Sequence, residues 1–446
     1  MNTALHPLQQ RLAAAWPHDF PAGTRIEAGL SGGLDSVVLL HLLAALQPRF
    51  GFALSAVHVH HGLNACADEW ADFCRNLCRE WGIALRLEKV TVADNSRLGI
   101  EAEARRQRYR VFSDGRCDVL ALAHHQNDQV ETFMLAALRG GGLRALSAMP
   151  QRRPLGGRIE LWRPLLEESR ETLESYAAEQ GLAYVEDGSN GDSAFLRNWL
   201  RHEALPQWRN RVPHLDRHIV RSIGSLQNEL TLLNEIVEQD YAYICAAGAF
   251  SIARWKTLSG ARRRQQLLHF AKLHGLGVPA AESTADFSRV LGTMKTVSAE
   301  WPLPHGKIHA YRDTLFAQKT GWQDTLPWVA GGAVLTGRLK NILPENGFTL
   351  KPHSFGMCEK LLNEECVIRA ANAEDVIQTT IGRKNVWKVL QESKVPPFAR
   401  RYWPVVADSG NRCAAIANIR VSVHHSSPNG AIPVFDKFNC FILEPK

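Results

Sequence analysis

The sequence predicts an α/β fold: an N-terminal doubly wound parallel sheet, then a helical connector and middle domain, then a small C-terminal α+β domain. Three observations carry this. Strand-like and helix-like segments alternate from residue 25 to residue 139. A Ser31-Gly32-Gly33 turn joins the first strand to the first helix of that series. The alternation stops at Gly140-Gly141-Gly142, and short β-like pieces return only near the C-terminus. Strands separated by helices need crossover connections, the pattern of a parallel sheet covered on both faces.

Taken in order, residues 25–30 form a first strand candidate, and Val37, Val38, Leu39, Leu40, Leu42 and Leu43 place a helix over 35–46. A second strand is expected at 54–59. An amphipathic helix follows over 68–81, with Asp68 as its N-cap. Residues 83–90 read as a third strand, 100–112 as a strongly charged helix, 118–123 as a fourth strand and 128–139 as the next helix. Beyond the triple glycine, Arg163-Pro164-Leu165 precedes an amphipathic helix over 170–180. Residues 219–244 read as a long connecting helix and 261–276 as another. The Gly- and Pro-rich stretch 320–352 reads as loops or a linker. Past it, 405–407, 414–423 and 434–443 are β-like and 383–392 is helical.

Composition narrows the function classes. The chain has 446 residues, 45% hydrophobic and 22% charged, which supports sizeable cores and excludes whole-chain disorder. No apolar run approaches the roughly 18 residues of a membrane span. Arg11, His18 and Asp19 interrupt the N-terminal stretch, so no signal peptide is read and a cytoplasmic location is expected. The nine cysteines, at 66, 74, 78, 117, 245, 358, 366, 413 and 440, form no C-x2-C pair. Zinc-ribbon, thioredoxin and simple iron–sulfur readings therefore lose support. Cys74 and Cys78, at i, i+4, read as small buried apolar residues. The net charge of +7 favours a polyanion such as nucleic acid without proving it.

The most informative stretch is Ser31-Gly32-Gly33-Leu34-Asp35-Ser36. Adjacent glycines let the backbone approach a ligand closely and take up positive φ. The N–H groups of the helix start point outward with the helix dipole behind them, and Ser31 and Ser36 add hydroxyls. This describes a pyrophosphate cradle. Neither Gly-Lys-Ser/Thr nor G-x-G-x-x-G is present, so the kinase-type P-loop and the dinucleotide site are disfavoured. Asp35 suits an anion site only if a Mg²⁺ sits there or its carboxylate caps the helix. Asp128 and Glu131 are i, i+3 neighbours at the start of the helix after the fourth strand. In an open α/β sheet both turns lie at the C-terminal ends of strands, where ligands bind. The bland reading of the pair is charge complementing the helix dipole.

Arg105 and Arg108, at i, i+3, meet phosphate or RNA or form a solvated face with Glu101 and Glu103. Arg197 and Arg201, at i, i+4, suit bidentate phosphate clamping. His58, His60, His61, His124 and His125 suggest a metal, but hydrogen-bonded or core histidines fit better without a partner at ligand spacing. Trp199 and Trp208 stand among arginines as candidates for base stacking, or belong to a core. Phosphate contacts are expected from Arg197, Arg201, Arg209, Arg211, Arg217 and Arg221, and from Arg262, Arg263 and Arg264. A further set is Arg369, Arg383, Lys384, Lys388, Lys394, Arg400 and Arg401. Each run is also readable as a solvated face.

The S-G-G-x-D-S turn resembles the signature of the N-type ATP pyrophosphatases, the PP-loop family. Further motifs resemble the tRNA(Ile)-lysidine synthase family within it. They are Val57-His58-Val59-His60-His61-Gly62-Leu63 and the helix from Gly99-Ile100-Glu101 through Ala104-Arg105-Arg106-Gln107-Arg108-Tyr109. The box Ala123-His124-His125-Gln126-Asn127-Asp128-Gln129-Val130-Glu131-Thr132 is similar too. So is Asp187-Gly188-Ser189-Asn190 followed by Arg197-Asn198-Trp199-Leu200-Arg201. The similarity spans about residues 25–210; the C-terminal half is similar only in length and basic character. Asn127 replaces the first Asp of the family's usual D-D pair, which puts the weight on Asp128.

The resemblance implies a ligase using ATP and Mg²⁺, with free L-lysine and a CAU-anticodon tRNA(Ile) as partners, no membrane, and a homodimer as an option. Cytidine 34 is adenylated on its C2 oxygen, then the lysine ε-amino group displaces AMP to give lysidine, changing codon specificity from AUG to AUA. Carried over residue by residue, Ser31, Gly32, Gly33, Leu34, Asp35 and Ser36 bind ATP with His58, His124, Arg105 and Arg201. Asp35, Asp128, Glu131 and Arg197 are catalytic, and Asp35 and Asp128 bind the metal. The implied domains are a catalytic 1–215, a mainly helical tRNA-binding 216–320, a linker 321–355 and a tRNA-binding 356–446. Three other readings stay open. A tRNA thiolation enzyme would keep the turn but usually carries C-x2-C pairs. A small-molecule synthetase would not need the arginine runs. An RNA-binding protein with ATP as a regulatory ligand would not need Asp128 and Glu131.

Overall fold

The computed structural model describes residues 5–62, 64, 66–91, 100–186, 196–293, 298–329 and 334–441. The motif positions Leu63, Gly99 and Asp187-Gly188-Ser189-Asn190, and the last two residues of the β-like piece 434–443, lie outside them. The chain divides into two compact units, Met1–Glu235 and Ile236–Lys446. No helix among the described residues is long and apolar enough to cross a membrane.

In the first unit, α1 (Pro7–Ala14) precedes β1 (Arg25–Gly29), α2 (Leu34–Phe50), β2 (Ala53–His60), α3 (Ala67–Glu80) and β3 (Ala84–Lys89). Then come α4 (Ile100–Ser113), β4 (Val119–Ala121), α5 (Gln126–Leu138) and the single turn α6 (Leu143–Leu146). A hairpin of β5 (Arg152–Leu155) and β6 (Ile159–Trp162) leads to α7 (Arg170–Glu179). Next are α8 (Leu196–Trp199), a π turn at Leu200–Ala204, α9 (Leu205–Arg211) and α10 (Leu215–Ile244), which runs past the division at 235. The sheet order is β3-β2-β1-β4-β6-β5. Every pairing is parallel except that of the edge strand β5 with β6.

Side chains alternate between the two faces of this sheet, as the two-residue strand period requires. Ile26, Ala28, Val119, Ala121 and Trp162 pack on one face with α1, α2, α3 and α7. Val57, Leu120, Leu122 and Leu161 pack on the other with Phe112 of α4. Helix α2 is buried nearly all round (Val37, Val38, Leu39, Leu40, Leu42, Leu43 and Leu46), so its apolar run is continuous rather than periodic. It stops at Gly51, whose φ of 68° places its N–H on Gln47 O. Cys74 and Cys78 lie in this core, and burial pushes their thiols up to about 12 and about 11.

Two local expectations are corrected here. Cys66, not Asp68, occupies the N-cap of α3. Asp68 sits in the first turn, where its carboxylate complements the dipole and meets His60 Nε2 at 3.1 Å and Lys89 Nζ at 3.0 Å. The stretch 152–162, which showed no alternation, is a hairpin. Gly156 and Gly157 supply the positive φ values of its turn, 60° and 84°.

The second unit begins with α11 (Ile252–Lys256), α12 (Gly260–Leu273), α13 (Ala281–Thr293) and an antiparallel meander of β7 (Ser298–Leu303), β8 (Gly306–Tyr311) and β9 (Thr314–Lys319). It continues through β10 (Leu335–Arg338), α14 (Leu339–Glu345), β11 (Phe348–His353), β12 (Gly356–Met357), α15 (Glu359–Asn363) and β13 (Glu365–Ala370). Then follow β14 (Val376–Thr379), β15 (Gly382–Asn385), α16 (Val386–Glu392), α17 (Pro397–Arg400), β16 (Pro404–Ala407) and β17 (Cys413–Ile416). Last come β18 (Arg420–Val421), β19 (Ser426–Ser427) and β20 (Gly430–Phe435). Strands β10, β13, β16, β17, β14 and β15 make the main sheet, with β18 on β17, and β11, β20, β12 and β19 make another.

The loop or linker reading of 320–352 does not survive. Leu326, Trp328, Leu339, Ile342, Leu343 and Phe348 are buried in the main core of this unit. Gly321 and Gly347 sit at turns with positive φ, whereas Gly337, Pro344 and Pro352 lie inside β10, α14 and β11. Several basic residues expected to meet phosphate also have partners within the fold. Arg262 pairs with Asp240, Arg369 with Asp375 and Lys384 with Glu392. Arg400 reaches Val395 O at 2.9 Å and the Tyr311 hydroxyl at 3.1 Å.

One buried carboxylate ties the C-terminal turns together. Asp408, 3% exposed, accepts from the N–H groups of Gly410 (3.0 Å) and Arg412 (2.9 Å) and from Arg412 Nε (3.0 Å). Burial opposes its charge, yet these donors hold its carboxyl below the ordinary range. A carboxyl held low in the fold stabilises it above the unfolded value of about 3.9 and loses that contribution as pH falls through the folded value. Asp408→Asn is therefore expected to cost about 1.5–3 kcal/mol at neutral pH. The gap to wild type narrows below about pH 4, as urea unfolding of both proteins across that range will read.

Candidate active site

The sheet reverses its winding at β1: β2 and β3 lie to one side, β4 and β6 to the other. In doubly wound sheets that switch point opens a crevice at the carboxyl ends of the strands. The turn after β1 carries Ser31–Ser36 and the turn after β4 carries His124 onward, so both predicted motifs meet there.

The first turn is held by its own hydroxyls. Ser31 N–H donates to Ser36 Oγ at 3.1 Å, the two hydroxyl oxygens are 3.0 Å apart, and Ser36 Oγ donates to Gly33 O at 2.8 Å. Only Gly32 takes positive φ, 92°; Gly33 is extended at −73°, which corrects the expectation for both. A Cβ on Gly32 would stand 2.9 Å from Val185 Cγ2, and Val185 N–H bonds Gly32 O at 3.0 Å. Gly33 is the N-cap of α2, and no side chain caps that helix. The first N–H groups of α2 therefore remain for a ligand anion.

Around the turn lies a lattice of carboxylates and guanidinium groups. Asp35 takes both its bonds from Arg170 Nη1, at 2.7 and 2.6 Å. Glu131, 2% exposed, receives Arg197 Nε at 2.7 Å, Arg201 Nε at 2.6 Å and Arg201 Nη2 at 2.9 Å. Asp128 receives Arg197 Nη2 at 3.0 Å and lies 3.6 Å from Arg201 Nη2. Its other oxygen caps α5 by accepting the His125 N–H at 3.0 Å. His125 Nε2 stands 3.7 Å from Asp35 and 3.6 Å from Asp128, joining the two motifs.

These charges set the protonation states. Burial opposes the His125 imidazolium, but Asp35 and Asp128 raise it above the ordinary histidine value. Burial likewise opposes the Asp128 carboxylate, and His125, His124 and Arg197 hold it below the ordinary range. His124 is pushed down to about 3 and His61 to about 4, chiefly by burial, so both are neutral at neutral pH. His58 is buried beneath the turn, with Nδ1 2.9 Å from Leu30 O and 3.4 Å from Cys74 Sγ. It supports the end of β1 from below.

The other expected residues fall elsewhere. The Arg105 guanidinium lies 5.0 Å over the Tyr109 ring, outside the carboxylate lattice. Glu103 is buried and pairs with Arg106 and Gln107. Trp208 packs against the cluster of Val130, Leu205, Ile219 and Ile223, and Arg209 pairs with Asp216. Asn127, where the family pattern has Asp, accepts the Arg170 N–H at 3.1 Å and so anchors the start of α7. An uncharged oxygen performs that task as well as a carboxylate.

Arg170 and the bridging role of His125 escaped the sequence reading; Asp35 and Arg170 are 135 positions apart, and no local pattern announces such a pair. Asp35 and Asp128 present hard oxygen donors of the kind Mg²⁺ takes. Among the described residues no three or more His, Cys, Asp or Glu side chains gather to cage an ion. Mg²⁺ characteristically uses one or two carboxylates together with substrate phosphates, so the donor set fits it.

Comparison with known proteins bears on the whole chain. Residues 5–208 match the family described as PP-loop domain, 250–316 that described as TilS substrate binding domain, and 367–434 that described as TilS substrate C-terminal domain. The chain is 46% identical to a tRNA(Ile)-lysidine synthase of Neisseria gonorrhoeae, over 93% of this chain and 93% of that protein. It is 37% identical to one of Chromobacterium violaceum, over 94% of this chain and 97% of that protein. Full-length similarity at these levels, on a crevice built from the motifs above, shows that the chain belongs to the tRNA(Ile)-lysidine synthase family, ligases built on an ATP-using PP-loop domain.

Proposed function

We propose that this chain ligates free L-lysine to C2 of cytidine 34 in the CAU anticodon of tRNA(Ile), changing its codon specificity from AUG to AUA. The supporting observation is that the Ser31–Ser36 turn and the carboxylates Asp35, Asp128 and Glu131 converge at one switch point of the sheet. The cytidine C2 oxygen attacks the α-phosphorus of ATP, and pyrophosphate leaves. The lysine ε-amino nitrogen then attacks C2, the C2–oxygen bond breaks, and AMP departs with that oxygen. One proton leaves the nitrogen.

The turn's N–H groups hold the phosphates, in the preorganised manner that makes such donors effective. Mg²⁺, held by Asp35 and Asp128, would neutralise phosphate charge. Arg197 and Arg201 then have phosphates to turn to. Asp128 also receives the amine proton. Deprotonating lysine, with a pKa of about 10.4, costs roughly 4–5 kcal/mol at pH 7, and a carboxylate at the nitrogen offsets part of that. Ser31, Gly32, Gly33, Leu34 and Ser36 bind ATP, with His58 and His124 beside them. Domains are assigned as catalytic over 1–215 and tRNA-binding over 216–320 and 356–446.

Three outcomes are expected. With labelled lysine, ATP and total tRNA, the protein labels tRNA, and AMP release requires both lysine and a CAU-anticodon tRNA; AMP release without tRNA would overturn the assignment. Asp128→Asn lowers lysine incorporation by about 10²–10⁴-fold. Near-normal incorporation in that variant, beside a loss in Ser36→Ala, removes Asp128 from proton transfer. Gly32→Ala, strained at φ 92° and crowded by Val185, raises the KM for ATP about tenfold or more in a pyrophosphate-release assay.

A further inference from the structure

A second group of charges lies beside the carboxylate lattice and takes no part in it. Arg163, at the end of β6, is 2% exposed. Its Nη1 donates to Pro150 O at 2.7 Å, while its Nε is buried and donates to nothing. No carboxylate among the described residues pairs with it; its charged and polar neighbours are Tyr109, Arg153 and Arg105. Burying a guanidinium without a counter-ion is costly, and a fold that keeps one there generally supplies an anion from outside.

The surroundings suit a small anion. The Arg105 and Arg153 guanidinium groups lie over the Tyr109 ring at 5.0 and 5.4 Å, and Arg105 Nη2 is 3.4 Å from the Tyr109 hydroxyl. Burial works to raise the Tyr109 phenol, yet Arg105, Arg163 and Arg153 together hold it below its ordinary value. Three cations thus converge on one hydroxyl. His124 is within electrostatic reach of both groups: Asp128, Arg163 and Arg105 all act on it, and its buried Nδ1 has no partner. Positive and negative groups therefore both act on one neutral imidazole. A molecule carrying an ammonium at one end and a carboxylate at the other, separated by four methylene groups and an α-carbon, matches that polarity.

We propose that Arg163, with Arg153, Arg105 and the Tyr109 hydroxyl, binds the α-carboxylate of the amino-acid substrate while its ε-nitrogen lies at Asp128. This rests on the reading that free lysine is the nucleophile. A tRNA phosphate fits less well, because a polymer backbone does not reach a guanidinium that is 2% exposed. The cluster makes the enzyme demand a carboxylate on its amine substrate, where Asp128 alone would accept any primary amine.

The test uses the whole enzyme with CAU-anticodon tRNA(Ile) and ATP. Wild type is compared with Arg163→Lys, Tyr109→Phe and Arg153→Gln for the KM of lysine, the KM of ATP and the affinity for tRNA. Cadaverine, which is lysine without its carboxylate, is the second substrate. The expected result is a lysine KM raised tenfold or more in the variants, with the KM of ATP and tRNA affinity held. Cadaverine reacts poorly with wild type and no worse with the variants. Cadaverine matching lysine in wild type overturns the proposal without needing a folded variant. Weaker tRNA binding with an unchanged lysine KM overturns it in favour of a phosphate site. A wild type that incorporates no lysine fails the functional reading itself, and this proposal with it.

Discussion

The pairing of Asp35, Asp128 and Glu131 with Arg170, Arg197 and Arg201 is the interaction on which the crevice depends. Glu131 is almost fully buried, and a buried carboxylate without partners would have to give up its charge. The pairs also tie distant segments together: the turns after β1 and β4 on the acidic side, α7 and α8 on the basic side. Removing both Arg197 and Arg201 would strand the buried Glu131 anion, which costs more than the pairs themselves contribute. Such a lattice can exchange partners. A cation arriving at the carboxylates and an anion arriving at the arginines satisfy the same groups without leaving a charge bare. In the proposed reaction, ATP with Mg²⁺ would bring both at once.

The backbone around the lattice is arranged to the same end. Arg197 and Arg201 lie a turn apart and reach the same glutamate, and the π turn at Leu200–Ala204 contains the second of them. Insertions of that kind re-aim side chains and recur at functional sites. Gly32 is clasped by Val185, in the segment that follows α7. The helix that supplies Arg170 is thus followed by chain that pins the phosphate turn. Asn127, on the turn that carries Asp128, bonds the first residue of α7. The α7 segment, which contributes Arg170, is thereby tied to both turns that carry the acidic residues.

How much of this was legible in the sequence followed from range. The Ser31–Ser36 turn and the α5 start were legible because their chemistry is local: consecutive residues set the backbone, and a helix dipole acts on the nearest charges. The parallel sheet was legible because its strands and helices alternate in length and period. The cap of α3 was misplaced by two residues because a carboxylate suits either the cap or the first turn, and Lys89 and His60 decide where Asp68 sits. The hairpin 152–162 was missed because Arg152-Arg153-Pro154-Leu155 shows no alternation. The stretch 320–352 was misread because many short turns give it the composition of a loop while Trp328 and Phe348 anchor it in a core. Arg170 and the bridging His125 depend on residues far away in the chain.

Arginine runs proved the least informative pattern, for a physical reason. A guanidinium is equally at home on a carboxylate, a carbonyl, an aromatic face or a phosphate, so sequence alone does not say which one it has. Arg209 has Asp216, Arg262 has Asp240, Arg369 has Asp375, and Arg263 lies 5.4 Å over the Trp255 ring. These side chains spend their charge on partners in the fold; each ion pair cancels one acid against one base, so the 52 Lys and Arg residues overstate what is left to meet a polyanion while the net charge of +7 does not change. The informative arginine is the one whose partners do not add up. Arg163 sat in a stretch read only as the lead-in to a helix, yet it is the buried cation for which the first unit supplies no anion among its described residues. What marks a binding site in such a protein is the mismatch between burial and satisfaction, which neither composition nor spacing can register.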